Sequence, residues 1–295
     1  MTSVPAGSHG SQRFSYLLPA FINLSLPNAR IDSHVWARRN GTQQLAITAG
    51  VGIGPHGHTG ESFVPYGKYA RAALMFLCTE AVRTDHEVIP VSDTYRGYMK
   101  QLGLVWNRRN LIEAVRQMQA VAASTITLTE TTTRDDGKID KTSERFTISF
   151  RDRMVFTADR SGEICDTEPS YLELSPDFMR AINGYGRVPI RTDAWHHLLQ
   201  HSKSAMALDI YTWLAYRLHT LKKPVRISWD QLHQQFGSGS ELKIFKVKFR
   251  QALTTALSVY PEANVTEFGA GPRGGTQGLM LKMSKNAIDS AWSAP

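Results

Sequence analysis

The sequence predicts an α+β fold, mostly helical with β-ribbon wings. Three observations predict it: an amphipathic basic helix over residues 238–260, a pair of alternating segments around a Gly-rich turn after it, and an earlier run of elements in the same order. In the helix, Leu242, Phe245, Phe249, Ala252, Leu253 and Ala256 fall on one narrow face at about 100° per residue, the stripe of a core-packed helix. Gly237 breaks what precedes, and Ser238 followed by Glu241 fits a capping box, so the helix is expected to start there. Its other side carries Ser240, Lys243, Val247, Arg250, Gln251 and Thr254, with Lys246 and Lys248 on the flanks. That mixture suits phosphates and base edges.

The neighbours supply a context. Residues 204–221 place Met206, Ile210, Trp213, Leu214 and Leu218 at helical spacing, and Pro224 ends that helix. Residues 225–227 read as a short strand, and 228–236 as a helix opened by the capping box of Ser228 and Gln231. Residues 264–268 and 278–283 alternate like strands around the turn at 269–275, which holds Arg273. Helix, strand, helix, turn, basic helix, ribbon is the order of a winged helix, whose third helix enters the major groove.

The same order occurs earlier. Leu74, Leu77, Cys78 and Val82, in a helix over 69–84, align with Ile210, Trp213, Leu214 and Leu218 at an offset of 136 residues. A strand at 88–91, a helix at 92–102, a break at Gly103 and a helix at 107–123 follow. In the last, Leu111, Val115, Met118 and Ala122 form the buried stripe, and Arg109, Glu113, Arg116 and Gln117 face outward. Residues 125–133 and 143–150, joined through Asp135, Asp136 and Gly137, make a longer ribbon with an Asp-Gly turn signal, and 154–158 add a strand. The pattern therefore predicts two tandem winged-helix domains.

The remaining segments complete the division. Residues 1–15, rich in Ser and Gly, are expected to be a disordered tail. Residues 16–158 form the N-terminal winged-helix domain with an N-terminal extension, in which 21–40 show no clean period and read as irregular. Residues 45–51 alternate as a strand, with 61–64 placed to pair with it. Residues 159–174 are polar and read as a linker, 175–285 as the C-terminal winged-helix domain, and 286–295 as a tail. Ser175 and Pro176 open a short helix by cap and first-turn proline, and 193–201 read as another.

Composition bounds the partners. The chain of 295 residues carries a net charge of +8, and its 42% apolar share is enough for ordinary cores. Nine basic residues stand against three acidic ones between 203 and 260, so the excess sits on the second motif. A polyanion is the expected partner. Cys78 and Cys165 cannot staple a chain of this size, which fits a reducing cytoplasm. The apolar stretch at 16–26 is interrupted by Pro19, Asn23 and Ser25 and reads as neither a signal peptide nor a membrane span.

Enzyme readings fare poorly. Gly52, Gly54 and Gly57 have dinucleotide-fingerprint spacing, and 52–59 nearly match a phosphate loop. Yet His58 stands where lysine is needed, and Pro65 argues against a helix beginning there. A nicking enzyme needs a metal-binding His pair and a placed tyrosine, whereas His56 and His58 sit in a loop. His197 and His201 are an i, i+4 pair with no evident carboxylate partner. Tyr95, Tyr98, Tyr211 and Tyr216 lie in helix patterns. No catalytic residue, metal site or cofactor is therefore expected.

Two stretches, 65–84 (PYGKYARAALMFLCTEAVRT) with Leu102 to Leu104, and 174–260 with MALDIYTWLAYRL, ISWDQLHQQFGSG, FKVKFRQAL and VYP in order, resemble the plasmid-encoded RepA replication initiator family of bacteria. The similarity spans most of 45–283, and the second block is the more specific. The resemblance implies initiation of plasmid replication: binding repeated double-stranded sequences at the plasmid origin, helping to open the duplex, and recruiting the host initiator and replicative helicase. It also implies base readout by the C-terminal winged helix, and dimerisation and backbone contact by the N-terminal one. The family transfers no active-site motif, and it explains no role for the Gly- and His-rich loop at 52–60.

The expected DNA contacts rest on helix geometry. Lys243, Val247, Arg250, Gln251 and Thr254 face the major groove, with Arg250 the guanine reader. Ser238, Ser240 and the N–H groups near them hold phosphate, as do Lys222, Lys223, Arg226, Lys246 and Lys248. Arg273 and Lys282 support the wing, and Arg109 and Arg116 are the contacts of the first half. An alternative is a tandem winged-helix repressor of its own operon, and a third class is a metal-dependent nicking initiator. A homodimer through 88–91 or the first wing is compatible with the pattern, as is an ordinary sheet edge.

Overall fold

A computed structural model describes residues 13–51, 61–92, 94–133, 139–150, 170–184, 186–237, 239–269 and 277–293. The tail before residue 13, the loop at 52–60, the turn at Asp135 to Gly137, the strand expected at 154–158 and most of the expected linker lie outside these residues. So do Ser238 and Arg273. The architecture is α+β, as expected.

The chain opens with strand β1 (Phe14–Leu17) and helix α1 (Pro19–Asn23), then the hairpin of β2 (Val35–Asn40) and β3 (Gln43–Thr48). Gly41 turns the hairpin at φ 59°, a region that favours glycine. Of residues 21–40, expected to be irregular, 24–34 are so, whereas 21–23 end α1 and 35–40 form β2. The period of β2 was masked because its inward-facing position is held by Arg38, a charge where alternation needs an apolar residue. Residues 61–64 form no strand, and β3 pairs with β2 and with β5 (Thr125–Thr133) instead.

Helix α2 (Gly67–Thr84), strand β4 (Val88–Val91), helix α3 (Tyr95–Gln101) and helix α4 (Arg108–Ala123) follow in the expected order. Thr94 caps α3 by accepting from Gly97 N, and Asn107 caps α4 by accepting from Asn110 N. Gly103 breaks the chain between them at φ 72°, and a Cβ there would fall 2.0 Å from the His196 ring.

Strand β6 (Ile139–Phe150) completes the ribbon with β5 and starts earlier than expected. Residues 170–174, placed in the linker by sequence, form β7 (Ser170–Leu174). β7 inserts between β6 and β4, so one antiparallel sheet runs β2-β3-β5-β6-β7-β4. Leu45, Ile47, Ile126, Leu128, Leu172 and Leu174 alternate onto its buried face. Helix α4 and helix α5 (Pro176–Gly184) pack there. Ser175 Oγ accepts from Phe178 N at the start of α5, as its cap reading required.

Strand β8 (Val188–Arg191), which sequence did not predict, pairs antiparallel with β1. Phe14 and Ser15, assigned to the tail, are therefore in a strand, because β8 supplies a partner that no local pattern announces. Helix α6 (Thr192–His201) leads into α7 (Ala205–Arg217), where residues 205–215 are all buried. A helix buried all round, apolar apart from Asp209 and Thr212, is a hub. It touches α1, α2, α6, β8 and helix α9 (Leu242–Leu257). Strand β9 (Val225–Ser228), helix α8 (Trp229–Phe236), α9, β10 (Val265–Phe268) and β11 (Gly278–Leu281) complete the second half, with sheet order β10-β11-β9.

Two buried arginines tie the halves together. Arg71 of α2 makes a bidentate pair with Asp209 of α7, both contacts at 2.6 Å, and also donates to Leu26 O at 2.7 Å and Gly67 O at 2.9 Å. Burial pushes the Asp209 carboxyl up from the usual range, against the pull of Arg71. Arg38 donates to Gln235 O and, at 2.7 Å, to Gly237 O. It thus places a cation on the carbonyl end of α8. Burial lowers its pKa to about 10.

Candidate nucleic-acid interface

Helix α9 is held from beneath by aromatic packing. Phe249 meets Trp229 at 5.7 Å, Phe236 at 5.6 Å and Phe245 at 5.4 Å between ring centroids, and Trp213 meets Phe236 at 5.2 Å. Phe245, Phe249, Ala252, Leu253 and Ala256 are buried, as the stripe predicted. The helix is shorter at its start than expected. It begins at Leu242, with Glu241 as N-cap and no side-chain capping bond. His233 Nε2 lies 2.8 Å from Ser240 O, tying the backbone just before the helix to α8 and competing with a longer helix.

Lys243, Val247, Lys248, Arg250, Gln251 and Thr254 are exposed on α9, and Lys246 is half-buried. No carboxylate interrupts the helix, whose basic residues are Lys243, Lys246, Lys248 and Arg250. Lys246 Nζ sits 5.9 Å from the Trp229 ring centroid. Lys222, Lys223 and Arg226 are exposed on the approach to and along β9, and Arg226 lies 5.2 Å from the Phe268 ring. Lys282 is exposed just after β11, its N–H donating to Asn264 O at 3.0 Å. Ser240 is half-buried at the helix entrance.

Arg250 has partners that its helix position did not reveal. Its Nε donates to Glu267 Oε1 at 2.8 Å and its Nη2 to Oε2 at 2.9 Å, and the guanidinium lies 5.0 Å from the Trp229 centroid. The Glu267 carboxylate beside it raises the Arg250 pKa further. This side-on pairing engages two of the five N–H donors and leaves both Nη1 hydrogens and one on Nη2 pointing away from the carboxylate. Sequence gave no sign of Glu267, because its strand is a separate element with an ordinary alternating pattern.

The matching helix of the first half has other chemistry. Arg109 is exposed, but Arg116 is engaged by Glu61 at 2.5 Å and Glu113 at 3.4 Å and lies 4.6 Å from the Phe63 ring. Gln117, expected to face outward, is fully buried, accepting from Tyr66 N at 2.9 Å and donating to Glu113 at 3.0 Å. Its amide satisfies backbone just before α2, a need that helical periodicity does not encode. Val105, Trp106 and Ile112 are exposed at this helix's start.

His197 and His201 stack at 4.3 Å, and the His201 Nδ1 is 3.0 Å from His197 O. Among the described residues no three His, Cys, Asp or Glu side chains gather as a metal site. His56 and His58 lie outside them. Among the described residues, no helix is long and apolar enough to cross a membrane. Cys78 is buried, which pushes its thiol up to about 12 and makes it a packing residue.

No curated protein matches the chain. Among solved structures, the crystal structure of selenomethionine derivatives of domains 2 and 3 of RctB is similar over 90% of this chain and 96% of that one, at 12% identity and a TM-score of 0.53. A second crystal structure of RctB domains 2–3 covers 91% and 98%, at 12% identity and a TM-score of 0.49. The first likeness is one of fold. A family model described as plasmid-encoded RepA protein matches residues 64–231, from just before α2 into α8, so α9 lies beyond it. That match takes in more than half of the sequence, and the chain belongs to the plasmid-encoded RepA family of replication initiators.

Proposed function

We propose that the chain initiates plasmid replication by binding repeated double-stranded sequences at the origin through its second half, without a catalytic step of its own. The observation that carries this reading is the outer face of α9, where Lys243, Val247, Arg250, Gln251 and Thr254 are exposed with no carboxylate in the helix. The order β10-β11-β9 beside it, with the first strand pairing to the last, supports a winged-helix unit whose third helix enters the major groove. The first half is its variant, with β7 inserted where β4 would meet the ribbon. Origin opening and contacts with the host initiator and replicative helicase belong to the same reading, as does a cytoplasmic location.

In this reading Arg250 donates end-on to guanine O6 and N7 while Glu267 holds the other edge of its guanidinium. Glu267 is then a positioning residue. Ser240, Lys222, Lys223, Arg226, Lys246 and Lys248 serve the backbone, and Ser238, Arg273 and Lys282 flank the helix and the wing.

The test is binding of the purified protein to a labelled duplex carrying the plasmid's repeats and to a scrambled duplex, across a salt series. Specific affinity is expected to exceed non-specific by roughly a thousandfold or more, both falling steeply with salt. Equal binding to both duplexes at every salt would remove the physical basis of the reading.

A further inference from the structure

A trough of about 1060 Å³ runs between the two halves, on the side of α8 and β9 rather than the outer face of α9. Its walls are residues 27–31 and the β2 turn on one side, and Arg217, β9, α8 and Gly239 on the other. Five arginines line it: Arg30, Arg38, Arg39, Arg217 and Arg226. Among the described residues that line it, none is Asp or Glu. Arg38 is used by the α8 carbonyls, and Arg30 is paired with Glu61 at 3.2 Å. Arg39, Arg217 and Arg226 have no carboxylate partner among the described residues.

Like charges facing one concavity repel one another, and a fold keeps them together when an anion relieves the repulsion. A second observation also points to a ligand. Gln235 lines the trough, is only 6% exposed, and its Nε2 has no hydrogen-bond partner. A buried amide donor in a trough lined by guanidinium groups without a carboxylate partner suits phosphate oxygen, which accepts from both; Arg39 keeps one bond, from its Nε to Gly41 O at 3.1 Å. Trp36, half-buried on the same wall, adds an aromatic face.

We propose that this trough seats one sugar–phosphate strand of nucleic acid, with Arg39, Arg217 and Arg226 on its phosphates. The proposal extends, and rests on, the reading of the second half as DNA-binding, but uses residues apart from the α9 face. The strand is either one backbone of the duplex continuing past α9 or a free single strand.

The test measures binding of the full chain to a labelled oligothymidylate and to a scrambled duplex of equal length, across a salt series. Arg39→Glu, on an exposed edge strand, is expected to weaken binding and flatten the salt slope by at least the contact it removes, about 0.9 on duplex or 0.7 on single strand. Arg217→Gln acts in the same direction, with its melting checked because it is half-buried. Arg39→Lys restores the slope. Lys100→Glu, beside the separate cavity between α2, α3 and α6, controls for net charge and leaves both probes near wild type. A loss confined to the duplex assigns the trough to a duplex backbone, and a loss on oligothymidylate assigns it to a single strand. Wild-type affinity and slope on both probes for Arg39→Glu and Arg217→Gln overturn the trough while leaving α9 standing. A wild-type protein that binds neither probe nor the repeats overturns both.

Discussion

Helices α4 and α9 hold the same place in two runs of like elements, and they use their outer faces differently. α4 is closed by its own neighbours: Asn107 caps it, Glu61 and Glu113 engage Arg116, and Gln117 turns inward to serve backbone. α9 is left open, with no side-chain cap, four basic residues and no acidic one. One arrangement of helices thus carries a mixed-charge outer face in the first half and a positively charged one in the second, where, among the described residues, Arg250 alone of the four basic groups has a carboxylate partner, Glu267. The difference teaches that the character of the surface is set by which charged residues a helix carries and which of them its neighbours pair, rather than by the fold itself.

The largest expected effect breaks the comparison at its root, by separating the halves. Asp209→Ala leaves the Arg71 guanidinium buried without its carboxylate and is expected to cost about 3–5 kcal/mol, read by denaturant unfolding. One cooperative transition at a lower midpoint is the expected result. A distinct transition that keeps the wild-type midpoint would show that α7 does not join the two halves.

A smaller effect sharpens the contrast in function. Arg250→Ala is expected to lose about 1–3 kcal/mol of discrimination at one base pair. Arg109→Ala should weaken all sequences alike, lowering the salt slope by about 0.9. Competition binding with single-base variants of the repeat separates the two, and a base preference altered by Arg109→Ala would reverse the assignment of roles.

Caps come next. Asn107→Ala is expected to destabilise the chain by about 1 kcal/mol, because it frees a helix N–H that the side chain now satisfies. Glu241→Ala should cost only about 0.3–0.5 kcal/mol, through the helix dipole. Equal shifts in thermal midpoint would mean that α9 is capped in solution after all.

Glu267→Gln is expected to change stability by only about 0–1 kcal/mol, as for an exposed pair. Its effect on recognition distinguishes positioning from charge. Loss of an acidic group near DNA alone would strengthen binding to every sequence. Loss of a positioning contact reduces guanine preference at the Arg250 base pair, and that is the expected outcome in the same competition assay.

The helices and the buried stripes were legible because their signals are local: Phe245 and Phe249, or Leu111 and Met118, recur at the helical period within a few turns. What escaped was non-local. β1, β7 and β8 acquire partners far along the chain, and no property of SYLEL or VPIR names them. Arg38 hid β2 by standing at a buried position whose compensation, the carbonyl end of α8, lies some two hundred residues away. Of the candidate site, the exposed residues of α9 followed from its period. Glu267 beside Arg250 and the trough between the halves did not, since each is made by elements meeting in space.

The pairing of β1 with β8 has a consequence for synthesis. Ser15 Oγ lies 3.0 Å from Thr192 Oγ1 across 177 residues of sequence. At about 5–20 residues per second, the ribosome delivers the second strand roughly 9–35 s after the first. Over that interval β1 can pack on α2, but Phe21 and Ile22 of α1, buried in the finished fold, await α7, and the edge of β1 awaits β8. β1 and α1 therefore stand partly uncovered until the second half is translated, and they are among the last of the described elements to find all their partners.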